Sequence, residues 1–180
     1  AFKDLYNLWF DDQGNKTQYL KTLEKEEIKV TSMSNILGGA GGNAPKAFKD
    51  LYNLWFDDQG NKTQYLKNLE EEGINLARIS IILHGAGANV PKAIKELYDF
   101  WFDAKGNKRQ HLKHFIKQKD GERSFTLYNI SGILSKSGAK VKDAFERLHN
   151  ICFNDEGKRT ELLDEFYYAG FMPSELSSEL

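Results

Sequence analysis

Residues 1–21 read AFKDLYNLWFDDQGNKTQYLK, and residues 47–67 repeat them letter for letter. The string returns diverged at 93–113 as AIKELYDFWFDAKGNKRQHLK, and again from Ala144 as AFERLHNICFNDEGKRTELLD. Self-similarity at a period of this length marks a tandem array in which each unit is one supersecondary element. The units span 1–46, 47–92, 93–143 and, in part, 144–180, and make a single repeat array. Five extra residues in the third unit fall within KQKDGERSF at 117–125, where an Asp120-Gly121 turn lengthens a surface connection at little cost. The identity of the first two copies points to recent duplication or to assembly from copies.

Three segments of each unit carry helical spacing and none alternates as a strand does. In the second unit, Pro45 to Phe56 places Ala47, Phe48, Leu51, Tyr52, Leu54 and Trp55 at helical intervals, with the proline in the opening turn. Asp57 to Gly60 ends that helix. Lys62 to Glu72 is the second, with Tyr65, Leu66 and Leu69 inward, and Asn75 to Leu83 is a short third. Three short helices cannot bury their apolar faces alone, so neighbouring units must share a core. The fold expected is all-α, a right-handed superhelical solenoid of three-helix units about 46 residues long. The chain opens without Met in mid-pattern, and residues 170–180 follow the pattern of 73–83. It reads as a piece of a longer array, with apolar surface at each end and end-to-end self-association as a consequence.

Between the third helix of one unit and the first of the next lies a run of small residues. The copies are GGAGGNAPK at 38–46, HGAGANVPK at 84–92 and SKSGAKVKD at 135–143. The leading positions change, from Gly38, Gly39 and Ala40 to His84, Gly85 and Ala86 to Ser135, Lys136 and Ser137, while the helix edges stay. Glycines such as Gly41 and Gly87 permit unusual backbone angles and close approach of another molecule; a tight helix connection wants the same residues for geometry alone. Lys46 and Lys92 follow the prolines, and Lys140 and Lys142 take their place in the third copy. At a helix N-terminus, where free N–H groups and the helix dipole favour an anion, such a lysine suits a phosphate, although surface lysines are common.

The short helix, glycine-rich loop and longer helix resemble the DNA-reading repeats of transcription activator-like effectors and their bacterial relatives. Those repeats carry Ile-Ala, a variable pair, Gly-Gly and a second helix. Ile36-Leu37, Ile82-Leu83 and Ile133-Leu134 take the first place, and Gly41-Gly42, Gly87-Ala88 and Gly138-Ala139 the third. The resemblance implies a variable pair at Gly39-Ala40, Gly85-Ala86 and Lys136-Ser137, with Ala40, Ala86 and Ser137 approaching bases and the following Lys or Asn residues holding phosphate. Alanine offers only apolar contact to a thymine methyl, so sequence readout would be weak. The resemblance also implies a bacterial effector acting in a host nucleus.

Other readings are excluded or bland. Basic and acidic side chains number 25 and 26, so net charge attracts neither nucleic acid nor an anionic membrane, and electrostatic binding must come from local placement. The single cysteine, Cys152, cannot form an intrachain disulfide and suits a reducing, intracellular compartment. It stands where other units have Trp55 and Trp101, which argues for packing. No apolar run approaches the roughly 20 residues that span a bilayer. FDDQGNK looks like a calcium loop, but counted from Asp57 the sixth position is Lys62 and the twelfth Asn68, which fails the EF-hand pattern. His84, His111, His114 and His149 lack a metal spacing and read as surface or interface residues. The Tyr52, Trp55, Phe56 stripe reads as core, and no catalytic or cofactor motif is present. Two functions remain, neither an enzyme's nor in need of a cofactor: duplex DNA binding through the loops and lysines, or protein binding by a helical array.

Overall fold

The computed structural model describes residues 2–38, 40–84, 86–116, 134 and 137–168. These residues form helices and turns, and the chain is all-α: among them there is no strand, only isolated bridges. The first unit contributes α1 (Phe2–Trp9), α2 (Gln18–Lys25) and α3 (Val30–Ile36). The second contributes α4 (Ala44–Trp55), α5 (Gln64–Glu71) and α6 (Leu76–Ile82), and the third α7 (Val90–Trp101) and α8 (Gln110–Ile116). From the fourth come α9 (Val141–Cys152) and α10 (Glu161–Tyr168). The five-residue insertion expected at 117–125 lies outside the described residues.

The long helices form because their apolar residues fall on one face. In α4 the buried set is Ala47, Phe48, Leu51, Tyr52 and Trp55, and Pro45 sits in the first turn, where no intrahelical N–H bond is lost. Each long helix ends in an extended residue, Phe56, Phe102 or Phe153, that bridges antiparallel to Lys62, Lys108 or Arg159. The loop between is closed by one side chain. Asp57 Oδ1 accepts the backbone N–H groups of Gln59 at 2.9 Å and Asn61 at 2.8 Å, while Oδ2 accepts the Asn61 amide. Asp11 and Asp103 repeat this, and Asn154 supplies the backbone part in the fourth unit. The first aspartate of each calcium-like loop is thus spent on amide donors, and the Asn61 backbone bond holds Asp57 below the usual carboxylate range.

Matching elements of successive units pack on one another: α1 on α4, α4 on α7, α7 on α9, and α3 on α6. One apolar core runs through all of them, from Leu8 and Trp9 to Phe153 and Leu163.

A polar contact recurs at each junction. The Tyr52 hydroxyl donates to Thr22 Oγ1 at 2.9 Å, and the Asn68 amide donates to the Tyr98 hydroxyl at 2.6 Å. His114 Nδ1 meets His149 Nε2 at 3.0 Å in the same place of the next junction. Over each of these sits the loop glycine of the following unit. A Cβ on Gly60 would lie 2.6 Å from Thr22 Oγ1, on Gly106 2.5 Å from Asn68 Nδ2, and on Gly157 2.3 Å from His114 Nε2. These glycines have φ near +75°, so they serve both the turn and the close approach of the neighbouring unit.

Candidate nucleic-acid interface

The small-residue connections are shorter loops than their composition implies. Gly41–Asn43, Gly87–Asn89 and Gly138–Lys140 each wind as one turn of 3-10 helix that runs directly into α4, α7 and α9. The leading glycine of each has φ between +55° and +57°, which an L side chain adopts at a cost of about 1–2 kcal/mol. These three turns pack on one another in order, so the helix entrances form a row along one edge of the array. At α4 and α7 the first N–H groups are already used by the 3-10 turns, Ala44 donating to Gly41 O and Val90 to Gly87 O, and Pro45 and Pro91 carry none, so what the row of entrances offers is the positive ends of the helix dipoles.

The row brings together some of the expected residues and buries others. Gly41, His84, Lys46, Lys92 and Lys140 are exposed, whereas Gly38, Ser137 and Lys142 are half-buried and Gly87 is buried. Gly39, Gly85, Ser135 and Lys136 lie outside the described residues. Ala40 and Ala86 correct the expectation of base contact: they are only 5% and 4% exposed. The reason is geometric. Each caps its 3-10 turn, its N–H bonded back to Leu37 or Leu83 and its carbonyl accepting from Asn43 or Asn89, and the stacking of turns closes over the methyl.

The lysines differ in what they meet. Among the described residues Lys46 and Lys140 have no salt-bridge partner. Lys92 lies 3.7 Å from Glu96, and Lys142 2.6 Å from Glu146 and 3.6 Å from Asp143. The Glu146 hydrogen bond raises the Lys142 pKa, so its charge is secure at neutral pH. Lys142 also lies over the Phe100 ring at 5.3 Å. Between α7 and α9 these residues line a groove of about 770 Å³, where Lys92, Lys140 and Lys142 alternate with Glu96, Asp99 and Asp143.

The residues that sequence reasoning passed over are those of the junctions. His111 and His149 have ring centroids 4.8 Å apart and His114 and His149 5.2 Å, so three of the four histidines meet between the third and fourth units. Burial among Phe115, Phe153 and the other rings lowers the His149 pKa to about 4, and burial lowers that of His111 as well. No group of three or more His, Cys, Asp or Glu among the described residues is arranged to hold a metal ion. The signal was present in the aligned units, where one repeat position reads Thr22, Asn68 and His114 and the position it meets in the next unit reads Tyr52, Tyr98 and His149, both becoming histidine at the last junction. Cys152 is fully buried, and burial pushes its thiol up to about 12, which leaves no thiolate for nucleophilic chemistry near neutrality.

Comparison with protein-family models, with curated proteins and with solved structures finds no match for this chain. No helix of the described residues is long and apolar enough to cross a membrane.

Proposed function

We propose that the chain is a right-handed superhelical solenoid that binds duplex DNA along its phosphate backbone with little base selectivity. The observation that carries this is the row of three stacked helix entrances, each led by small residues and followed by a lysine, Lys46, Lys92 or Lys142. A phosphate approaching such an entrance meets the positive end of the helix dipole and an ammonium group together. Packed helices lie about 8–10 Å apart, and one strand of duplex presents a phosphate about every 3.4 Å of axis rise. A straight row meets roughly every third phosphate, and a superhelix that winds with the strand shortens that interval.

Base readout is weak in this reading because Ala40 and Ala86 are enclosed and alanine carries no hydrogen-bonding group. The likeness to transcription activator-like effector repeats supports the backbone contact more than the base code, and action in a host nucleus belongs to the same proposal. Protein binding is favoured by a different observation: the groove between α7 and α9 interleaves Glu96, Asp99 and Asp143 with its lysines, a pattern that opposes a uniform polyanion. The deciding experiment is binding to a random-sequence duplex pool at low and moderate salt, with a variant in which Lys46, Lys92, Lys140 and Lys142 are alanine. Salt-sensitive binding that the variant loses supports the DNA reading; no binding at low salt leaves protein binding.

A further inference from the structure

The long helices α4, α7 and α9 carry one solvent stripe in the same repeat frame, and its charges invert at the last of them. The stripe reads Lys46, Asp50 and Asn53 on α4, Lys92, Glu96 and Asp99 on α7, and Asp143, Arg147 and Asn150 on α9. Every one of these side chains is exposed. Spaced at i, i+4 and i+7, each set lies on one face of its helix. On α4 and α7 the stripe stays exposed although the next long helix packs alongside, so it belongs to the flank of the array and not to an end of it.

The α7 stripe is one wall of the groove of about 770 Å³ between α7 and α9, with the half-buried Phe100 ring beside it and Lys140, Lys142 and Asp143 opposite. Among the described residues no salt bridge crosses this groove. Lys92 pairs with Glu96 of its own helix, and Lys142 with Asp143 and Glu146 of its own. Asp99 and Arg147 have no salt-bridge partner among the described residues. The charges of the walls therefore do not hold α7 to α9, and they remain available to a partner.

We propose that the occupant is α9 of a second copy of this chain, laid parallel to α7 along the groove, with the first copy's α9 in the second copy's groove in return. Charge complementarity selects this partner and its direction. In parallel register Asp143 of the second copy meets Lys92, with Lys140 and Lys142 on the far wall, and Arg147 of the second copy meets Glu96 and Asp99. Asn150 then lies at the level of Asp99 and can donate to it. In antiparallel register Asp143 would face Asp99 and Lys92 would lose its carboxylate. One copy carries both the groove and the helix that fills it, so the contact is isologous and closes as a two-fold dimer. It rests on exposed ion pairs, so it is weak and sensitive to salt, and it does not depend on DNA binding.

Sedimentation velocity on the 180-residue chain at low salt, from low to high micromolar concentration, tests this with Glu96→Arg and Arg147→Glu. Both side chains are exposed, so the fold is kept, as circular dichroism will verify. The wild type is expected to approach the mass of a dimer and to return to monomer at high salt. Each variant alone sets like charges against each other at both symmetry-related contacts, and its dimer dissociation constant is expected to rise about 10-fold or more. An equimolar mixture of the two should dimerise as the wild type does, because each of its contacts again joins a cation to a carboxylate. Asp50→Arg, the same change one unit earlier, should leave association as it is, which separates the groove from net charge. A wild type that stays monomeric at low salt or grows beyond a dimer, variants that associate as the wild type does, a mixture that stays monomeric, or an equal loss in Asp50→Arg overturns the proposal.

Discussion

Acidification is expected to loosen the junction between the third and fourth units before any other part of the array. His149 is 6% exposed and faces His114 and His111 on α8, with Phe115 and Phe153 closing the site and Arg109, Lys142 and Glu146 as the nearby charges. Asn150 Oδ1 can only accept, so the His149 Nδ1 hydrogen points to it and the Nε2 lone pair takes the hydrogen of His114 Nδ1. A proton on His149 Nε2 turns that acceptor into a second donor facing a donor.

The sign follows from linkage. His149 has a folded-state pKa lowered from 6.5 to about 4, so between those values the unfolded chain binds more protons than the folded one. Stability is therefore full above 6.5, falls as pH drops toward 4, and has no further slope from this residue below 4. At about 1.36 kcal/mol per pH unit the loss is about 3 kcal/mol. Asp11, Asp57 and Asp103 have lowered values, so their contribution is lost only below 3.8, in a separate window. Urea denaturation followed by far-UV circular dichroism at pH 7.5, about 5.5 and about 4.5 measures the slope across the histidine window. The triple variant His111→Tyr, His114→Asn, His149→Tyr rebuilds this junction with the side chains of Tyr65, Asn68 and Tyr98, and should remove the slope while keeping the fold. A wild type with level stability from pH 7.5 to 4.5, or a variant that keeps the slope, refutes the reasoning.

Three further outcomes are expected. Neutralising phosphates with Lys46, Lys92, Lys140 and Lys142 gives a log–log salt slope of about −3 to −4 in duplex binding, and each alanine substitution should lower its magnitude by about 1; equal slopes in wild type and variants would refute this assignment of the contacts. Gly14→Ala carries only the positive-φ cost of about 1–2 kcal/mol, whereas Gly60→Ala also displaces Thr22 from its bond to Tyr52 and should cost at least about 1 kcal/mol more in denaturant unfolding; equal costs would mean that the junction yields freely. Cys152 should resist a thiol reagent at pH 8 and react only as the protein unfolds, which mass spectrometry of labelled chains at increasing urea will follow.

The repeat and the helices were legible because both are written as periodicity. The core positions of α4 and α7 coincide with the helical spacing of Ala47, Phe48, Leu51, Tyr52 and Trp55 and of their counterparts. What spacing cannot show is how a short non-periodic segment closes. Lys62 was expected inside the second helix, but it bridges to Phe56 because Asp57 closes the preceding loop as a hairpin, and Thr63 becomes the residue before α5. Likewise the glycines at 41 and 87 announce a special backbone angle, but not that the next residues wind into a 3-10 turn or that Ala40 and Ala86 face inward.

The junction contacts were hidden for a different reason: the residues that meet are 30 or 35 positions apart and sit on different helices. Their pairing appears only when positions of one unit are set against positions of the next. Seen that way, the loop glycine explains why these partners differ between junctions while the backbone does not. With no Cβ at Gly60, Gly106 or Gly157, the space above the earlier unit admits a threonine, an asparagine or an imidazole in turn. A repeat array can then change the strength and the pH response of one junction while leaving the row of helix entrances at its edge in register.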